Sequence, residues 1–222
     1  MKTICRCFGL LAVISFLFFA CDKEEKKTEE EKKPEEKIPE VKENFLKIGD
    51  STYKLVGGML ENYGVCEDML DEEWAHDGYN IDLTLISQGL QISNNYEEED
   101  FQGKGHMVYF EMFTSNPDCL DSGKYSFSTN IPFPVKSFDY AMYFLNYVEG
   151  EEDFDVFFLS EAEVNVKIKD DIYEISFITT DENGVKVEGY YKGKLKYFDY
   201  SYEYSNDRAL KSNKKKNHIK IR

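Results

Sequence analysis

The side chains that most often carry catalysis are few in this chain of 222 residues, and they match no familiar catalytic motif. Its three histidines are His76, His106 and His218, and none belongs to a His-Glu-x-x-His pattern. The sequence also lacks a Gly-x-Ser-x-Gly elbow, a Cys-x-x-Cys pair and a Gly-rich phosphate loop before a helix. A glycosidase that uses two carboxylates leaves no local signature, so that class stays open. The prediction is a protein that is not an enzyme and needs no cofactor.

Two acidic clusters, at 97–100 and 151–155, offer the oxygen ligands that Ca²⁺ takes. Neither cluster has the spacing of a known calcium loop, and acidic turns are usually solvated. We therefore predict no metal site.

Four aromatic residues are candidates for binding a ligand. Trp74 is the only tryptophan and lies before a predicted strand, where its ring either stacks on a sugar or peptide or plugs one end of the core. Tyr200, Tyr202 and Tyr204 alternate along the chain, so they should project from one face of a late strand. That row forms either a ligand platform or one wall of the core.

Two cysteines, Cys66 and Cys119, lie in the predicted domain, and they are candidates for a disulfide because thiols often pair in an oxidising compartment. A bridge between them would close a loop of about 53 residues and stabilise the fold by roughly 4 kcal/mol in the chain-entropy model. The alternative is two unpaired thiols.

The N-terminus has the features of an export signal. Lys2 and Arg6 precede an apolar run at 8–20, and charge begins at Asp22. At about 1.5 Å per residue this run spans about 20 Å, which is short of the ~30 Å hydrocarbon core of a bilayer. We predict a signal peptide over residues 1–20 rather than a membrane span.

The step from Ala20 to Cys21 resembles the lipobox of bacterial lipoproteins, in which the cysteine is acylated and becomes the new N-terminus. Phe18 and Phe19 stand where the usual box has Leu and a small residue, and the alternative is an ordinary signal peptide with Cys21 as an incidental thiol. The resemblance implies lipidation at Cys21 and attachment to a membrane.

A charged tether, residues 21–43, follows the cysteine. Residues 22–43 hold ten acids, seven lysines and no aromatic residue, so this stretch cannot bury a core and should be a solvated, disordered linker. Its start, Lys23-Glu24-Glu25, resembles the acidic export signal of Bacteroidota surface lipoproteins. That resemblance implies an outer-membrane location with the domain exposed at the cell surface.

The main domain, residues 44–205, reads as short strands separated by turns. Alternating residues at 164–169, 173–177 and 185–188 are joined by tight turns and predict a three-stranded meander. Strands are also predicted at 45–48, 52–56, 79–85, 108–113 and 124–128, while 137–147 is ambiguous. About ten such strands predict an all-β fold, which is either an antiparallel β-sandwich or a small calycin-like barrel.

Three segments of this domain resemble an uncharacterised all-β lipoprotein family of Bacteroidota. They are the closing strand Gly-Tyr-Tyr-Lys-Gly-Lys-Leu at 189–195, the Tyr-Asn-Ile-Asp-Leu-Thr-Leu strand at 79–85 and the Ser-Gly-Lys-Tyr-Ser-Phe step at 122–127. The resemblance implies the same location and fold, and it carries no activity.

Charge is distributed unevenly along the chain. Residues 44–205 hold 32 acids and 11 basic residues, whereas 206–222 holds seven Lys and Arg and one Asp. The acidic domain disfavours nucleic acid. The tail at 206–222 is predicted to be disordered, either without a role or bound to anionic headgroups or to the acidic domain itself.

Two classes of function remain from these observations. The first is a lipid-anchored, non-catalytic envelope module that displays a β surface to a glycan, a peptide or an outer-membrane protein. The second is a calycin-like barrel that carries a small apolar ligand.

Overall fold

The computed structural model describes residues 42–65, 74–93, 101–151, 154–160 and 162–202. These residues form twelve strands and confirm the all-β fold. The strands are β1 (Phe45–Ile48), β2 (Ser51–Gly64), β3 (Tyr79–Ser87), β4 (Leu90–Ile92), β5 (Phe101–Thr114), β6 (Gly123–Phe127), β7 (Ser137–Val148), β8 (Asp155–Phe158), β9 (Glu163–Lys169), β10 (Ile172–Thr180), β11 (Lys186–Gly193) and β12 (Lys196–Asp199).

Most predicted strands have their expected positions. β9, β10 and β11 form the predicted antiparallel meander. The ambiguous segment at 137–147 is β7, and its pattern is unclear because both of its faces carry apolar residues. β4 and β8 were not predicted, since each has only three or four residues.

Nine of the described strands close into a barrel within a single sheet. Their order around the ring is β1-β2-β3-β5-β7-β6-β9-β10-β11, and β11 returns to β1. Neighbouring strands are antiparallel except β6 and β7. A ring with an odd number of strands cannot alternate in direction throughout, so one parallel pair is required.

The remaining strands extend the barrel at its margins. β4 pairs antiparallel with the first residues of β5, and β8 pairs with β7 before the chain bends into β9. At the bend Leu159 donates to the carbonyl of Ala141 and Ser160 donates to that of Thr180, so one segment bridges β7 and β10. β12 pairs in parallel with β2, whereas the sequence had suggested hairpin connections.

Aromatic rings from three strands meet in the core of the barrel. The ring centroid of Phe110 on β5 lies 5.1 Å from that of Phe177 on β10 and 5.8 Å from that of Phe138 on β7. Gly189 on the neighbouring β11 leaves room for this packing, because a Cβ there would stand 2.1 Å from the Phe177 ring. The three rings are buried, and each contributes about 1.5–3 kcal/mol by leaving water.

Several predictions fall outside the described residues. They are the signal peptide, Cys21, most of the tether and the basic tail at 206–222. In the part of the chain that the structure covers, no helix has the length and apolar character needed to cross a membrane.

Candidate functional site

Four carboxyl groups meet on the outer face of the barrel, and we call them the carboxyl row: Glu61, Asp82, Glu111 and Asp139. Glu61 on β2 is the cross-strand partner of Asp82 on β3. The register of β3 with β5, in which Leu83 faces Phe110, places Asp82 beside Glu111. Glu111 in turn faces Tyr140 on β7, at an irregularity of the register that includes Asp139.

Asp82 is the most buried member of the carboxyl row, and its pKa is clearly raised. Its carboxylate accepts a 2.7 Å hydrogen bond from the Asn80 amide and a short one from the Tyr109 hydroxyl. Burial raises the pKa of Asp82 well above its ordinary value, and the nearby charge of Glu111 raises it further. Burial and Asp82 also raise the pKa of Tyr109. Burial therefore favours the neutral form of both groups.

Glu111 and Asp139 form the more accessible half of the row. Burial and the charge of Asp139 raise the pKa of Glu111 to about 7, and burial raises the pKa of Asp139 to about 6. The Oδ1 atom of Asp139 is buried and accepts no hydrogen bond. Within the described residues neither carboxyl forms an ion pair. The ion pairs found there join lysines and glutamates of β6, β9, β10 and β11.

Two exposed rings lie next to these carboxyls. Tyr140 is 39% exposed and Phe158 on β8 is 42% exposed, and their centroids are 5.5 Å apart in an edge-on arrangement. Phe158 faces Met142, and Tyr140 faces Glu111, so the rings and the carboxyls share one face of adjacent strands. We call Glu111, Asp139, Tyr140 and Phe158 the acidic aromatic patch. Such a surface can stack on a flat group and accept hydrogen bonds or positive charge.

The structure places Trp74 two residues before His76, whose ring packs on Phe113, two residues after Glu111 on β5. The segment that holds it is paired through a bridge between His76 and Phe133. The rings of His76 and Phe133 both stack on Phe113, and Trp74 is 56% exposed. Trp74 therefore does not plug the core, and its role in binding stays a prediction.

Tyr200 and Tyr202, two of the three late tyrosines, lie beyond the end of β12 and differ in exposure. β12 ends at Asp199, and Tyr200 is only 9% exposed because it packs with Met59 and Phe198. Tyr202 is 76% exposed, and Tyr204 lies outside the described residues. Tyr200 belongs to a small core cluster, so the face available to a ligand here is reduced to Tyr202.

Cys119 is the one cysteine among the described residues. It lies between β5 and β6, packs partly buried against the core, and has a pKa raised by burial. Cys66, its predicted partner, lies outside the described residues, so the disulfide stays a prediction.

His106 lies outside the acidic aromatic patch and contacts other residues of the fold. The ring of His106 packs against Tyr53 at 3.9 Å, and its Nδ1 atom accepts a hydrogen bond from the backbone of Asn146. Burial lowers the pKa of His106, with a smaller effect from Lys104. Among the described residues, no three His, Cys, Asp or Glu side chains are arranged to hold a metal ion.

Sequence reasoning missed the acidic aromatic patch. Its members lie on three strands, and only the pairing of β5 with β7 and of β7 with β8 brings them together. Comparisons of this chain with protein-family models, with curated proteins and with solved structures found no match.

Proposed function

We propose that this chain is a lipid-anchored protein of the cell envelope whose barrel binds a partner on its outer surface and performs no catalysis. The observation that carries this proposal is the packing of Phe110, Phe138 and Phe177 across the lumen. Those rings belong to the core inside the barrel, and a carrier would need space there for its ligand. The exposed rings Tyr140 and Phe158 offer a binding surface outside it.

The alternative is a calycin-like barrel that carries a small apolar ligand. The closed ring of strands supports this alternative, because a carrier of this kind needs a barrel to enclose its ligand. The ring packing opposes it, because a ligand that lay between these strands would have to displace at least one buried phenylalanine. Such a displacement would expose an apolar surface that is worth about 1.5–3 kcal/mol per side chain.

Catalysis by paired carboxyls receives little support from the carboxyl row. Hydrolases of that kind divide their carboxyls into one that stays ionised and one that stays protonated. Here burial raises the pKa of Asp82, of Glu111 and of Asp139 in the same direction. The three groups therefore lack the opposed environments that assign an acid and a nucleophile.

The anchor and the location rest on the N-terminal sequence. Cys21 follows the apolar run directly, and the charged tether leads into β1 at Phe45. We place the chain in the outer membrane, attached through lipid on Cys21 and exposed at the cell surface, with a glycan, a peptide or another outer-membrane protein as its partner.

The anchor is tested by growing cells that express the full chain with labelled palmitate. Cys21→Ser should abolish incorporation, while Cys7→Ser, which changes a residue before the apolar run, should keep it. Label on the Cys21→Ser protein would contradict the anchor. Protease treatment of intact cells, with a periplasmic protein as control, tests exposure. Loss of the domain supports the surface location, and cleavage only after lysis contradicts it.

The second half of the proposal is tested on the Cys21→Ser protein, purified without covalent lipid. Native mass spectrometry should show the mass of the polypeptide alone. A bound apolar compound that stays with the protein through purification would favour the carrier instead.

A further inference from the structure

We propose that the acidic aromatic patch binds an arginine- or lysine-bearing polypeptide segment of a partner protein. This inference rests on the proposed function, since it names the chemistry of a partner for the outer surface. The patch comprises Glu111, Asp139, Tyr140 and Phe158 on β5, β7 and β8.

The first argument is charge. Asp82 on β3, and Glu182, whose backbone N–H donates to the carbonyl of Phe158, add acids near the patch, while the ring of His76 packs on Phe113, two residues from Glu111. No described lysine forms an ion pair with Glu111 or Asp139. The whole chain carries a formal charge of −16, which draws cationic segments toward it.

The second argument is the unmatched acceptor. Asp139 lies beside the exposed ring of Tyr140, and its Oδ1 atom is buried without a hydrogen-bond donor. A buried carboxylate oxygen without a donor is costly. A partner's guanidinium reaches this oxygen once the Asp139 side chain turns outward, and a charged donor then relieves that cost.

The third argument is the position of the rings. Tyr140 faces Glu111 across β5 and β7 and packs edge-on against Phe158. A guanidinium group can stack on an aromatic ring and bind a neighbouring carboxylate through two parallel hydrogen bonds. Arginine therefore fits the patch better than lysine does, because an ammonium group cannot stack in this way.

A glycan fits the same surface less well. Sugar hydroxyls would stack and hydrogen-bond here, but they bring no positive charge to two adjacent carboxyls that repel one another. A cation removes this repulsion and the glycan leaves it in place.

The test measures binding of a fluorescent peptide of four Arg-Gly repeats to the purified Cys21→Ser full chain at pH 8 and low salt. The control peptide replaces each arginine with citrulline, which keeps the shape and removes the charge. We expect binding of the arginine peptide, at least tenfold weaker binding of the citrulline peptide, and loss of affinity with added salt.

Two double variants separate the patch from net charge. Glu111→Gln with Asp139→Asn should weaken binding of the arginine peptide about tenfold, equivalent to about 1.4 kcal/mol. Asp170→Asn with Asp171→Asn removes the same charge from the β9–β10 turn, where asparagine tolerates the positive φ of both residues, and should change binding less than about twofold. Tyr140→Ala should weaken binding about threefold through the lost stacking.

Three results would overturn the inference. They are equal binding of the two peptides, equal losses in the two double variants, and binding of a neutral glycan that depends on Tyr140 but not on Asp139. Each of these leaves the proposed function standing, because that proposal is tested separately by palmitate labelling, by protease treatment of intact cells and by native mass spectrometry of the Cys21→Ser protein.

Discussion

Replacing Glu111 by glutamine should make the folded barrel less sensitive to rising pH. The pKa of Glu111 is raised from 4.5 to about 7, first by burial and then by Asp139. The folded state therefore holds this proton more tightly than the unfolded state does. Its contribution to stability is fully present below pH 4.5 and is lost as the pH rises through about 7.

The size of the effect follows from the two pKa values. One pKa unit is worth about 1.4 kcal/mol, so ionised Glu111 costs the folded protein about 3 kcal/mol well above pH 7. About 1 kcal/mol of that cost is already present at pH 5, because the unfolded chain is then partly ionised. When the pH rises from 5 to 8, the free energy of unfolding of Glu111→Gln should therefore increase by about 2 kcal/mol relative to that of the original protein.

The assay is urea unfolding of the Cys21→Ser full chain, followed by far-ultraviolet circular dichroism at pH 5, 6, 7 and 8. With a slope of about 2 kcal/mol per molar urea, the difference between the midpoints of the variant and the original protein should change by about 1 M. Asp171→Asn, in the exposed β9–β10 turn, is the control and should displace the curve equally at every pH. Parallel pH curves for Glu111→Gln and the original protein would refute the assigned role of burial.

Three further predictions concern the core and the cysteines. Phe177→Ala should lower the free energy of unfolding by about 3–5 kcal/mol, measured by urea denaturation, because it leaves a cavity where three rings meet. Gly189→Ala should destabilise the barrel by about 2 kcal/mol or more in the same assay, since its Cβ would overlap the Phe177 ring, whereas Gly57→Ala meets only Ile86 at 3.7 Å and should be tolerated. Peptide mapping of the exported protein without reductant should recover Cys66 and Cys119 as one disulfide-linked pair, and two alkylated cysteines would contradict the bridge.

The fold was predictable where neighbouring strands are also neighbours along the chain. The meander of β9, β10 and β11 was identified from alternation and turn residues alone. Closure of the ring was not predictable, because it depends on pairings such as Phe45 with Tyr190 that no local pattern records. The parallel pairing of β12 with β2 was missed for the same reason.

The candidate site was hidden because its strands look ordinary. In β3 the polar residues Asp82 and Thr84 alternate with Leu83, which is the pattern of a strand with one face in water. Both polar residues are buried, so the outer face of this strand is covered as well as the inner one. Alternation reports which side chains point together, and it does not report what lies over them.

The pairing of β1 with β11 means that the barrel can close only late in the synthesis of this protein. β1 is the first strand of the domain to leave the ribosome, and its partner Tyr190 follows Phe45 by 145 residues. Every shorter nascent chain therefore has an open sheet edge at β1, which can pair with other chains. No N-terminal fragment that ends before β11 can close the ring, so a truncated product should be selected for degradation or aggregation rather than accumulate as a smaller barrel.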